Sequence, residues 1–135
     1  MSDRISFIEY GMMLAQTASL RSEDKFRKVG SCAMDKNNRV IAIAYNGFPS
    51  GYNPSKDIWN DRELRQKYII HSEQNLCSLF KRGDAEIVFC TTLPCTSCFQ
   101  LLLAHGVKKI YFHEDYPASH APELAKKFGI DLIQV

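Results

Sequence analysis

Two short segments restrict what this chain can fold into more than any other feature. They are His71-Ser72-Glu73 and, 22 residues beyond Ser72, Pro94-Cys95-Thr96-Ser97-Cys98. Each stands where a helical pattern begins. Pro94 is pre-set for a helix start, and Cys95 and Cys98, three residues apart, fall on one face of the helix that follows. Thiolates at a helix N-terminus are favoured by the dipole and by free backbone N–H groups, which lowers their pKa. His71 opens a helix expected to run to about Lys81, with a strand over Glu86 to Thr91 before the cysteine segment. A fold that uses both segments together must bring two helix starts to one point.

The rest of the pattern supplies a frame for that meeting. Ile5, Ile8, Met12, Ala15 and Leu20 recur at roughly helical spacing and predict a first helix, ended by the polar run 21–25. Val29 to Asp35 and Val40 to Tyr45 read as two strands of a hairpin turned at 36–39. A loop rich in Gly, Pro and Asn follows over 46–54, then a short polar helix around Asp61 to Lys67. Beyond the cysteine helix, expected to end at His105, come a strand Lys109 to His113, a helix Pro122 to Phe128 and a strand Asp131 to Val135. Gly83, Gly106 and Gly129 stand where helices should stop. A hairpin followed by repeated helix–strand units implies a mixed sheet of about five strands with helices on its faces.

One nitrogen and two sulfur ligands suit Zn²⁺ and leave a fourth tetrahedral position for water. With two thiolates and a neutral imidazole the metal centre carries about zero net charge, and it still acidifies that water. Glu73, two residues from His71, is placed to take the proton without binding the metal. Each half is weak by itself: H-x-E is common on helix surfaces, and C-x-x-C also serves redox pairs and structural zinc. Against a redox pair, no aromatic or Pro stands in the place such pairs usually have it, beside or between the thiols. Against a four-cysteine site, Cys32, Cys77 and Cys90 are isolated and read as buried thiols. The two halves in this order favour a catalytic zinc.

H-x-E…P-C-x-x-C is the signature of the zinc-dependent nucleobase deaminases. The chain resembles that superfamily, and more closely its deoxycytidylate (dCMP) deaminase branch, over nearly its whole length. Val29-Gly30-Ser31-Cys32-Ala33 is similar to the branch's V-G-A strand, and Tyr45-Asn46-Gly47-Phe48-Pro49-Ser50-Gly51 to its Y-N-G-x-P-x-G loop. The stretch from Trp59 to Tyr68 and the aromatic Tyr116 are similar too. The resemblance implies a three-layer α/β cytidine-deaminase-like fold, its mixed five-stranded sheet covered by helices on both faces, as a single nucleotide deaminase domain over 1–135. It implies hydrolysis of dCMP to dUMP and ammonia, supplying dUMP for thymidylate synthesis. His71, Cys95 and Cys98 become the ligands of one Zn²⁺ and Glu73 the proton shuttle. Asn46 would bond the sugar 3′-hydroxyl, the backbone at Ser72 would orient the water, and Tyr116 would line the base or phosphate side. The branch is typically homohexameric, activated by dCTP and inhibited by dTTP near the loop of Asn46, Gly47, Phe48 and Gly51, with Mg²⁺ accompanying a triphosphate effector. Two departures stand out. Ser72 replaces the usual Ala, and no Cys follows Gly51 until Cys77, so a second structural zinc is not expected.

Composition narrows the alternatives. With 17 Lys+Arg against 15 Asp+Glu, the net charge of +2 is too small to mark a polyanion-binding surface. Lys81-Arg82, Lys108-Lys109 and Lys126-Lys127 are scattered pairs, whereas a tRNA or single-strand deaminase needs a basic groove tracking several phosphates. No apolar run approaches the roughly 20 residues of a membrane span, and Met1 to Ser6 shows no leader pattern, so a cytoplasmic, reducing setting is expected. His105, His113 and His120 read as caps or solvent-facing residues. Arg27 and Lys28 read first as solvated loop charges, but a nucleotide phosphate needs a cation, and Arg27 is the candidate because guanidinium binds phosphate bidentately. A non-catalytic zinc-binding regulatory module is the reading from a different class; Glu73 argues against it, since structural zinc needs no unliganded carboxylate beside it.

Overall fold

The computed structural model describes residues 3–135; Met1 and Ser2, part of the segment read for a leader, lie outside them. Eleven elements follow in order: α1 (Phe7–Ser19), β1 (Gly30–Met34), β2 (Val40–Tyr45), α2 (Lys56–Asn60), α3 (Arg62–Tyr68), α4 (Ser72–Cys77), β3 (Ile87–Thr92), α5 (Thr96–Ala104), β4 (Lys109–Glu114), α6 (Ala121–Phe128) and β5 (Asp131–Gln134). The strands form one mixed sheet in the order β2-β1-β3-β4-β5. β1 pairs antiparallel with both β2 and β3, while β3–β4 and β4–β5 are parallel.

Alternation along the strands builds the layers. Cys32 and Met34 of β1, Phe89 of β3 and Tyr111 of β4 face α1, where they pack with Met12 and Ala15. Ala33, Val88, Cys90, Ile110 and Phe112 point the other way, into a larger core with Leu76 of α4, Phe99 and Leu102 of α5, and Ala121 and Ala125 of α6. Helices therefore cover both faces, as expected. β1 sits inside the sheet with all five residues buried.

Two glycines let α1 approach closely. A Cβ on Gly30 would run into the carbonyl oxygen of Ala15, and one on Gly11 into the ring of Phe89. Phe89 in turn stacks on Tyr111, with ring centroids 5.2 Å apart. Gly129 closes α6 in the left-handed region at φ 68°, where a side chain would be strained. The hairpin turn is organised by Asp35, whose carboxylate accepts the N–H groups of Asn37 and Arg39.

Most expected elements are present within a residue or two; two differ. The helix expected over 71–81 ends at Cys77, because the Ser78 hydroxyl donates to the Asn75 carbonyl at 2.6 Å and the Leu79 N–H bonds back to Leu76 in a tightened turn. The loop after Gly51 contains an unexpected short helix, α2, where Trp59 packs edge-on against Phe48 at 4.8 Å. Its packing is tertiary, and no periodicity announces five residues. Among the described residues no helix is long and apolar enough to cross a membrane.

Gly30→Ala tests the close approach of α1 to β1. The clash is with backbone, which cannot rotate away, so destabilisation of about 3 kcal/mol is expected in urea unfolding. A loss below about 0.5 kcal/mol would mean that α1 is not pinned there.

Candidate active site

The two helix starts do meet. β3 ends at Thr92, and the chain turns through Leu93 and Pro94 into α5, with Cys95 as its N-cap. The Cys95 carbonyl accepts the Phe99 N–H at 2.8 Å, and its thiol makes no capping bond, which leaves the sulfur to face the cleft. His71 is the N-cap of α4. Gln74 reaches back to accept the His71 N–H at 2.8 Å, which fixes the backbone at the helix start.

His71 Nδ1 lies 3.6 Å from Cys95 Sγ and 3.3 Å from Cys98 Sγ. The three donor atoms all lie within 4.8 Å of one another. With Zn–S of about 2.3 Å and Zn–N of about 2.05 Å, a tetrahedral ion separates a nitrogen and a sulfur ligand by about 3.6 Å. The group fits zinc in both donor chemistry and spacing. The Cys95 thiol is pushed down to about 3 by bonds from Cys98 and from His71, so it is a thiolate at neutral pH. Cys98, which donates that bond and is buried, moves up. Burial also raises Cys32 to about 12 and Cys77 to about 11, which keeps those thiols protonated.

Glu73, only 4% exposed, lies in the same cleft. Burial pushes its carboxyl above the usual carboxylate range, opposed by its own backbone N–H, the Cys98 thiol and His71. A carboxylate with a raised pKa exchanges protons more readily near neutrality than an exposed glutamate does.

Ser72 anchors the start of α4. Its hydroxyl lies 2.7 Å from that of Ser31 on β1 and 3.2 Å from the Ala44 carbonyl on β2. Asn75 adds a bond of 2.8 Å from its side-chain amide to the Tyr45 carbonyl. On the other side, Ser119 and the His120 N–H hold Pro94 and Thr96 at the start of α5. His105 and His120 cap helices, and His113 is exposed and bonded to the Val135 carbonyl.

The cleft has a volume of about 440 Å³. Of the residues expected there, Arg27, Asn46, Ser72, Glu73, His71, Cys95 and Tyr116 all line it. Asn46 is largely consumed by the protein: its carbonyl oxygen accepts from Ser22 and Val29, and its amide donates to the Arg27 carbonyl, leaving one N–H for a ligand. Gly47, Phe48 and Gly51 lie outside the lining; Gly47 pairs with Ile70, and Phe48 packs between Tyr52 and Trp59. Missed from the sequence were Phe26, Arg62 and Arg65, which also face the cleft. The available signal was the i,i+3 spacing of the two arginines on the helix leading to His71.

The family described as the cytidine and deoxycytidylate deaminase zinc-binding region matches residues 5–114. The chain belongs to this family. A probable deoxycytidylate deaminase of Caenorhabditis elegans is 32% identical over 77% of this chain and 55% of its own length. Deoxycytidylate deaminase of Mus musculus is 28% identical over 84% of this chain and 67% of its own. The chain thus spans between half and two-thirds of these relatives. Among solved structures, apo dCMP deaminase from the cyanophage S-TIM5 superposes with a TM-score of 0.78 at 24% identity, covering 98% of this chain and 99% of that one. That protein's complex with dCMP and dUMP gives 0.71 at 23% identity over 96% and 93% of the two chains. The likeness establishes the cytidine-deaminase-like fold.

The Ser31–Ser72 pair can be checked by a double-mutant cycle. Each single change to Ala removes the bond between the two hydroxyls, although the survivor keeps a backbone carbonyl as partner, and should cost about 1 kcal/mol, while the double change should cost less than the sum by about 0.5 kcal/mol. Strict additivity in denaturant unfolding would mean that the two hydroxyls do not support each other.

Proposed function

We propose that this chain is a zinc-dependent dCMP deaminase that hydrolyses dCMP to dUMP and ammonia. The observation that carries the reading is a His–Cys–Cys donor group of zinc dimensions with a buried, unliganded glutamate in the same cleft. His71, Cys95 and Cys98 would hold the ion. When bound, zinc acts as a Lewis acid that makes a water nucleophilic at neutral pH and stabilises charge on its oxygen. The backbone at Ser72 orients that water, and the bonds from Ser72 to both β1 and β2 keep the orientation fixed.

Glu73 moves the protons. It accepts one as the water oxygen bonds to C4, and delivers it to N3 as the C4–N3 double bond becomes single. It then carries the second water proton to the exocyclic amine, which leaves as ammonia as the C4 carbonyl forms and the N3 proton is retained in the uracil ring. Burial favours this shuttle, since a desolvated carboxylate and a desolvated carboxylic acid lie closer in free energy. Asn46 offers its remaining N–H to the sugar 3′-hydroxyl, and Tyr116 lines the base or phosphate side of the pocket.

All 135 residues act as one nucleotide deaminase domain, and its product supplies dUMP for thymidylate synthesis. Family likeness carries further readings: a homohexamer, with dCTP activating and dTTP inhibiting near the 46–51 loop, and Mg²⁺ accompanying the triphosphate. The exposed apolar side chains of α1, among them Phe7, Tyr10 and Met13, favour an assembly. A free nucleotide suits the surface better than a polynucleotide, because Lys108 and Lys127 each sit beside a glutamate.

Metal content and ultraviolet loss of the cytosine chromophore test the assignment together. Wild type should hold one zinc per chain, turn over dCMP and lose activity to a chelator. Glu73→Gln should keep the zinc and lose at least about 10³-fold in kcat, whereas Cys98→Ala should lose metal and activity together. Full activity in Glu73→Gln would refute the mechanism.

A further inference from the structure

Three guanidinium groups converge on the cleft: Arg27 from the segment before β1, and Arg62 and Arg65 from α3. Among the described residues none of the three is ion-paired. Of the two carboxylates in the lining, Glu73 belongs to the His–Cys–Cys end of the cleft, and Asp24 is occupied in the loop itself, accepting the N–H groups of Phe26 and Arg27 at 2.8 and 3.1 Å. Three unpaired cations around one concavity repel one another, and that cost is relieved when an anion enters.

Two of the three are held in place. The Arg65 guanidinium lies 4.1 Å over the ring of Phe26, and that of Arg27 lies 4.9 Å over the ring of Tyr116. Arg65 also donates to the Trp59 carbonyl at 2.7 Å. A guanidinium stacked on a ring spends its face and keeps its in-plane N–H groups for a ligand, the fork that matches a phosphate oxygen pair. Arg62 stands one helical turn before Arg65 on the same side of α3. The arrangement is a preorganised arginine held beside a second cation, on a helix that runs almost directly into His71.

We propose that Arg62 and Arg65, together with Arg27, seat the phosphate of a nucleoside monophosphate, and that α3 thereby sets the preference for nucleotide over nucleoside. This rests on the deamination reading above but can fail separately from it. Arg65 is the preorganised member, and Arg62 closes on the anion from the solvent side. Neither residue touches the reacting ring; each acts on affinity for the phosphate and on its placement.

The test compares dCMP with deoxycytidine in the wild type, Arg62→Gln, Arg65→Gln and Arg65→Lys. Because Arg65 also braces Trp59, melting temperature and zinc content are recorded for each variant, and Arg62→Gln, which has no such brace, serves as the control for folding. The ratio of kcat/KM for dCMP to that for deoxycytidine should fall at least about 30-fold in Arg62→Gln and Arg65→Gln, chiefly through KM for dCMP, and be partly restored in Arg65→Lys. An unchanged ratio in Arg62→Gln and Arg65→Gln would overturn the proposal. A second readout needs no turnover: calorimetric binding of dUMP against deoxyuridine to zinc-loaded protein. If the wild type deaminates neither substrate yet binds dUMP with an affinity that Arg62→Gln abolishes, the deamination reading fails and the phosphate seat stands. If dUMP binds no better than deoxyuridine, the seat is refuted whatever the activity.

Discussion

Everything at the site hangs on holding two helix starts a few ångströms apart across a strand that separates them in sequence. A histidine on one and two cysteines on the other are mutually useful only if α4 and α5 cannot slide along the sheet. The chain meets this constraint with polar anchors in place of apolar packing alone. Ser72 and Asn75 pin α4 to the edges of β1 and β2, while Ser119 and His120 pin the start of α5. Apolar contacts tolerate small displacements at little cost, whereas hydrogen bonds between buried groups do not. The precision of the donor group is therefore a property of its supports as much as of the donors.

Much of this was legible in the sequence, for identifiable reasons. His71, Glu73, Cys95 and Cys98 combine residue types with narrow chemistry and spacings with narrow geometry, so the pattern carries both halves of the argument. The sheet was legible because β3, β4 and β5 are separated by helices that end at glycines, and the hairpin because Asp35 and Asn38 suit its turn. What could not be read was anything decided by contacts between distant segments. The early end of α4 depends on one serine bonding back to its own helix. α2 exists because Trp59 finds Phe48. Arg62 and Arg65 look like ordinary solvated helix charges until α3 is laid against Phe26.

Asn46 gives a subtler case. The expectation was a residue facing the sugar, and it does line the cleft. Three of its four hydrogen-bonding positions nevertheless serve the protein, joining Ser22, Arg27 and Val29. One side chain thus fixes the course of the chain from 22 to 29, including the segment that carries Arg27. A substitution at Asn46 would disturb the wall of the cleft as well as any bond to the sugar, so loss of activity there cannot be assigned to the sugar contact alone.

The pairing of β1 with β3 has a consequence for the order in which the molecule can be assembled. Residues 31–34 are buried between neighbours, yet one of those neighbours is 87–90. The first strand synthesised must wait for more than fifty further residues before its second edge is covered, and the wall of the cleft is complete only once Tyr116 has been added. Such distant pairings slow folding and leave an adhesive strand edge open meanwhile. A nascent chain interrupted between residues 73 and 87 holds His71 and Glu73 without Cys95 and Cys98, and exposes the hydrogen-bonding edge of β1 to any other chain nearby.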